Sequence, residues 1–115
     1  MAIQTATLRT TMATNYGTAT PYMALFSTVP GASPGTELTG GAPAYARKAS
    51  NWGTAAASAI TAAPAAFDVA SGSTVAGIGM YTAVTAGTYL DGTGVTSQAF
   101  SSQGQMTITA TYTQS

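Results

Sequence analysis

The sequence predicts an all-β chain, an antiparallel β-sandwich of jelly-roll-like character with a short N-terminal helix. Three observations carry that expectation. Short stretches alternate apolar and polar residues, Gly- and Pro-rich turns separate them, and a helical period is confined to the beginning of the chain. Seven or so short strands at close spacing read as two packed antiparallel layers. No fixed-period repeat is visible, which sets a solenoid aside. The expected organisation is one domain over residues 1–115, with 1–17 helical or arm-like.

In order along the chain, "TATLRTTMATNYG" places Leu8, Met12 and Tyr16 on one helical face, with Asn15 and Gly17 as stop signals. "TPYMALFS" is apolar on both alternating faces, as a strand buried on both sides requires. "TVPGASPGTELTGGAP" is a long loop, and a second strand is expected from Tyr45 to Trp52. "GTAAASAITAAPAA" allows a helix, although Pro64, Ser58, Thr61 and its setting among strands favour an extended arm or irregular strand equally, and "AAFDVA" reads as a strand with Phe67 and Val69 on one face. In "TVAGIGMYTA", Ala76, Ile78 and Met80 take one side, and Val75, Gly77, Gly79 and Tyr81 the other. "VTAG" turns into "TYL" as a hairpin, "DGTG" is a second turn signal, and "VTSQAF" is a short strand. The final "QMTITATYT" sets Met106, Ile108, Ala110 and Tyr112 against a row of threonines.

Composition narrows the function. Charged residues are 5% of the chain, against about 25% in an average soluble domain. Low total and net charge favours association over mutual repulsion, so much of the surface is expected to be covered by other protein in a homo-oligomeric assembly. Three Lys+Arg against three Asp+Glu leave no basic cluster for nucleic acid and none for an anionic membrane. No apolar run reaches the length of a spanning helix, and no secretory signal peptide is visible. With no cysteine and no histidine, thiolate and imidazole metal sites and imidazole-dependent triads are excluded. No metal and no cofactor is expected.

The remaining catalytic candidates are weak. Glu37, Asp68 and Asp91 stand about thirty residues apart, and nothing in their spacing brings two together as a hydrolytic pair. The chain is therefore not expected to be an enzyme. The rings serve as core and interface more readily than as a platform for sugars, because few Leu and Ile remain to fill space. The stretch "GAPAYARKASNW" holds two of the three cations and the only tryptophan. In an extended strand Arg47 and Lys48 point to opposite faces, so they do not form a joint phosphate clamp. Arg47 shares a face with Tyr45 and, half-buried, needs a specific partner. Pairing with Glu37 or Asp68, bonding to loop carbonyls or stacking on an aromatic ring would each meet that need, and a structural clasp is the expected role. Lys48, Trp52, Tyr81 and Tyr89 are the candidate interface residues.

"YMALFSTVPG", "GTELTGGAPAYARKASNW" and "VAGIGMYTAVTAGTYL" together resemble a family of short virion proteins of tailed bacteriophages, labelled tail fibre or minor capsid proteins. Leu25, Phe26, Pro30, Glu37, Gly40, Gly41, Tyr45, Ala46, Arg47, Trp52, Gly79, Tyr81, Gly87 and Leu90 hold the matching positions. Two departures are a longer loop in "GGAPAYAR" and tyrosine in "GMY" where tryptophan is common. The resemblance implies a small β-sandwich virion module and no catalytic residues, and by setting Glu37 in one motif with Tyr45 and Arg47 it makes Glu37 the first partner to look for, so that Tyr45, Arg47 and Glu37 form the structural clasp. With the composition, it leads to a minor capsid or decoration protein on the outside of the shell. Such a protein would contact the major capsid protein, be arranged as a trimer, and be made in the host cytoplasm before joining the virion. The alternative is a tail-tip or tail-fibre module binding host surface glycans through exposed tyrosines.

Overall fold

Helix α1 (Ala6–Ala19) is followed by eight strands: β1 (Tyr22–Phe26), β2 (Lys48–Ala49), β3 (Ala59–Thr61), β4 (Ala65–Val69), β5 (Thr74–Tyr81), β6 (Tyr89–Ala99), β7 (Gly104–Ile108) and β8 (Thr111–Thr113). The structure is a computed structural model and describes residues 3–115. Strand makes up 42% of the chain. The strands form a four-stranded sheet in the order β2-β1-β5-β6 and two ladders, β3-β8 and β4-β7. All pairings are antiparallel. Among the described residues no helix is long and apolar enough to cross a membrane.

Thr5 caps α1 by accepting the Leu8 N–H at 3.3 Å. The helix runs through Asn15 and Gly17, which do not stop it, because Pro21 is the first residue unable to continue. Thr20 closes the last turn, its N–H and hydroxyl both donating to the Tyr16 carbonyl. The expected inward face is also corrected. Leu8 and Met12 are 49% and 40% exposed, while Ala13 is fully buried. The helix packs through its smallest side chains, because a Cβ at Gly17 would stand 2.7 Å from the Ile60 Cδ1. Only a bare backbone lets it come that close.

β1 is the central strand and is buried from Met23 to Phe26. One flank pairs with β5, from Tyr22↔Tyr81 to Phe26↔Gly77. The other pairs first with β2, at Tyr22↔Ala49 and Met23↔Lys48, and then with the returning loop at Phe26↔Glu37. The expected strand from Tyr45 to Trp52 is thus reduced to two ladder residues. Before it the chain makes a tight bridge, Gly41↔Ala44, with Gly40 and Gly41 at φ of 81° and 100°, conformations natural to glycine. Gln103 holds that turn, bonding the Ala42 N–H and the Pro43 carbonyl, each at 3.2 Å. Trp52 bridges to Ala62 instead of extending β2.

The β5-β6 hairpin forms, but "DGTG" is no turn. It lies inside β6, where Gly92 faces Gly79 and Gly94 faces Gly77. These four glycines form a bare strip on the outer face of the sheet. A Cβ at Gly79 would overlap the Phe26 ring, and one at Gly77 would overlap Pro30. The strip seats Phe26, Tyr89 and Pro30 over a backbone that no larger residue would leave accessible. A register shift between Val75 and Gly77 also moves Val75 off its expected face, since a bulge interrupts strict alternation.

β3 lies within the low-complexity alanine stretch and pairs with β8, while β4 pairs with β7. The main core joins Met23, Leu25, Val75, Ile78 and Met80 of the four-stranded sheet to Phe67, Val69, Ile108 and Ala110 of the ladders. A smaller cluster of Ala24, Phe26 and Tyr81 sits on the other face, with Tyr89 packed against it.

Candidate functional site

Glu37 and Arg47 meet because both flank the same edge of β1: the returning loop puts Glu37 opposite Phe26, and β2 puts Lys48 opposite Met23. The Arg47 Nε and Nη2 donate to the two Glu37 carboxylate oxygens, each at 2.9 Å. This two-point geometry is the strong form of an ion pair. Tyr45 donates its hydroxyl to Glu37 Oε2 at 2.7 Å and accepts the Leu25 N–H at 3.0 Å. The structure therefore brings Tyr45, Arg47 and Glu37 together and ties them to the middle of β1.

Arg47 reaches further than the sequence indicates. Its Nη1 donates to the carbonyls of Ala83 and Ala86, at 3.1 and 2.6 Å, in the β5-β6 turn. Its guanidinium lies 3.6 Å from the Tyr81 ring centroid, a cation–π contact. Ala86 has a φ of 54°, a left-handed conformation costly for a residue with a Cβ. The bond from Arg47 to its carbonyl helps hold that turn. Loop carbonyls and an aromatic ring were among the partners expected of Arg47, but nothing in the sequence marks Ala83, Ala86 and Tyr81 as the ones that serve. Five N–H groups are available on a guanidinium. Four of them are engaged here, which leaves almost nothing to grip a ligand.

Burial alone would raise the Glu37 carboxyl, but hydrogen bonds from Arg47 and Tyr45 and the Arg47 charge outweigh it and hold the group below its ordinary value. The Tyr45 phenol moves up, driven first by burial, with donation to Glu37 adding to it and the Leu25 N–H opposing. Because Glu37 is depressed in the folded chain, its stabilisation is complete above its ordinary value of 4.5. It is lost as pH falls through the lower folded value. Thermal melts from about pH 7 down to about pH 3 are expected to show wild type losing stability below the ordinary carboxylate range. Glu37→Gln should lose less over the same interval. Equal acid slopes for the two proteins would contradict the assignment.

The four candidate interface residues are placed differently from one another. Tyr81 is only 7% exposed, buried beneath Arg47 and packed near Phe26 and Tyr89. The folded chain does not present its ring. Tyr89 is half-buried and donates to the Gly31 carbonyl at 2.7 Å. Trp52 is half-buried and donates its Nε1 to the Thr20 carbonyl at 2.8 Å, which locks the end of α1 to the segment after β2. Lys48 is half-buried and pairs through its backbone with Met23, while its ammonium group makes no hydrogen bond or ion pair among the described residues.

A second polar centre joins α1 to β6 and β8. The Tyr16 hydroxyl donates to Asp91 Oδ2 at 2.6 Å, and its ring stacks on Tyr112 at 3.8 Å between centroids and meets Trp52 edge-on. Burial, then the Asp91 contacts, push the Tyr16 phenol up. These groups border a groove of about 480 Å³ floored by Ile78, Met80, Val95 and Ile108. Asp68 accepts from Gln105 at 3.2 Å on β7. The three acids thus have three separate sets of partners, and no three Asp or Glu gather into a metal-binding group among the described residues. Of the six charged side chains, only Asp91 is exposed; Arg9, Glu37, Arg47, Lys48 and Asp68 are all half-buried.

Comparison with protein-family models, with curated proteins and with solved structures finds no match to this chain.

Proposed function

We propose that this chain is a non-enzymatic structural protein of a tailed-bacteriophage virion. In this reading it is an antiparallel β-sandwich that decorates the outside of the capsid shell as a homo-oligomer seated on the major capsid protein. The observation that carries the reading is the disposition of charge. Five of six charged side chains are half-buried, so a surface of 6027 Å² is formed mainly by Thr, Ser, Ala, Gly, Asn and Gln, with Leu8, Met12, Val29, Val84 and Leu90 also exposed. A surface of that kind neither repels its neighbours nor recruits a charged substrate, and it suits a protein that functions packed among others. The most strongly interacting residues, Glu37, Arg47 and Tyr45, are spent on joining loop, strand and hairpin.

Glycan recognition at a tail tip has less support. The hydroxyls of Tyr16, Tyr45, Tyr89 and Tyr112 are all bonded within the chain, and the Tyr16 and Tyr112 rings stack on each other in place of a sugar. Cryo-electron microscopy of the intact particles tests the proposal. Density for a helix and an eight-stranded β domain on the shell surface is expected. The same density at the tail tip, or none on the particle, overturns it.

A further inference from the structure

Four charged side chains remain once the clasp is made, and the sheet sets two of them, Lys48 and Asp91, in line with each other. Lys48 lies opposite Met23, Met23 opposite Met80, and Met80 opposite Asp91. The four residues form one row straight across the sheet, with Lys48 on the β2 edge and Asp91 on the β6 edge. Residues directly opposite across antiparallel strands share a face, so both charged side chains project to the side of Met23 and Met80. Neighbouring strands stand about 4.8 Å apart, so three steps separate the two charges by roughly 14 Å. That is too far for contact within one chain. Lys48 is the one cation that makes no polar contact among the described residues, since Arg47 is in the clasp and Arg9 donates to Ser58 and the Ile3 carbonyl. Asp91 is the one exposed carboxylate. It accepts from Tyr16 and from the Gly92 N–H, and an ionised carboxylate has room for further donors.

We propose that copies of this chain associate head to tail, the β6 edge of one lying along the β2 edge of the next, with Lys48 paired to Asp91 of the neighbour. β2 and β6 are the two end strands of the four-stranded sheet, and a strand at a sheet edge is a template for another strand. β6 is 11 residues long with exposed side chains over most of its length, whereas β2 supplies two residues. The backbone ladder is therefore short, and the ion pair sets its register. Net charge is zero, so no long-range repulsion opposes the approach. Because the two edges are at opposite ends of the sheet, the contact is heterologous. It closes into a ring, a trimer if each step turns by a third, or runs on as an open chain. The inference deepens the oligomeric part of the proposed function and does not depend on where the oligomer sits in a particle.

Sedimentation velocity and native mass spectrometry of the purified full chain test it, with circular dichroism to verify folding. Wild type is expected to form trimers or longer assemblies that weaken as salt is raised. Lys48→Glu and Asp91→Lys should each be monomeric, and the doubly reversed chain Lys48→Glu/Asp91→Lys should assemble again. Lys48→Gln, a milder change that touches no other contact, should weaken association about tenfold. A monomeric wild type, a twofold dimer, or assembly unaffected by Lys48→Gln would overturn the proposal. So would a folded double variant that fails to reassemble. None of these outcomes bears on whether the protein is found on a shell, which the particle map decides separately.

Discussion

Arg47→Ala is expected to lower the unfolding free energy of the isolated chain by about 3 kcal/mol and its Tm by roughly 10 °C. The substitution leaves the Glu37 carboxylate without its two-point partner and removes the donor to the Ala83 and Ala86 carbonyls. It also strips the cation from the Tyr81 ring. The side chains are 10% and 26% exposed, so water compensates part of the loss, and the expected cost is at the lower end of that for a broken buried pair. Arg47→Lys keeps the charge and loses the planar fork; about half the effect should remain. Denaturant unfolding of the three proteins reads the difference. An Arg47→Ala chain as stable as wild type would mean that the contacts are made at no net gain.

The second large effect is expected at Phe67. Its side chain is fully buried and stacks on Tyr45, with 6.4 Å between centroids and 16° between planes. It therefore lies between the ladders and the clasp, and Tyr45 passes its support on to β1 through the Leu25 N–H. Phe67→Ala should cost about 3–5 kcal/mol, the usual range for deleting a buried ring and leaving a cavity. That approaches the whole stability of a small domain, about 5–15 kcal/mol. Phe67→Leu retains most of the volume and should cost about 1.5 kcal/mol. A Phe67→Ala chain that melts with wild type would refute the packing of ladders on sheet described here.

Much of the strand pattern was legible because alternation depends on burial, and burial leaves a period of two. Ile78 and Met80 took the inner face of β5, and Ile108 and Ala110 joined them from the other side of the core. The helix was legible in place but not in its end or its orientation. Leu8 and Met12 carry the apolar signal, yet close packing against Ile60 and Trp52 favoured Ala13 and Gly17, which have almost no side chain to read. "DGTG" misled for a related reason. Glycine signals a turn locally, but here the space above Gly77, Gly79 and Gly92 is taken by Phe26, Pro30 and Tyr89 and that above Gly94 by Val29, and of these Phe26, Val29 and Pro30 are distant in sequence. At the clasp, the residue types left Glu37 and Asp68 both open as partners of Arg47, and the motif shared with Tyr45 and Arg47 favoured Glu37. The strand argument behind it was too generous, since only Lys48 and Ala49 are in a ladder. Loop carbonyls were expected as a class of acceptor for Arg47 but not these two, because a backbone oxygen becomes a site through the path of the chain and not through its side chain.

The account rests on Glu37 and Arg47 acting as one structural unit, and a double-mutant cycle measures that most directly. Glu37→Gln, Arg47→Met and the double variant would be unfolded in denaturant at neutral pH alongside wild type. A coupling energy of about 2 kcal/mol is expected for a pair in contact and partly shielded from water. Strictly additive losses, with coupling near zero, would contradict the clasp.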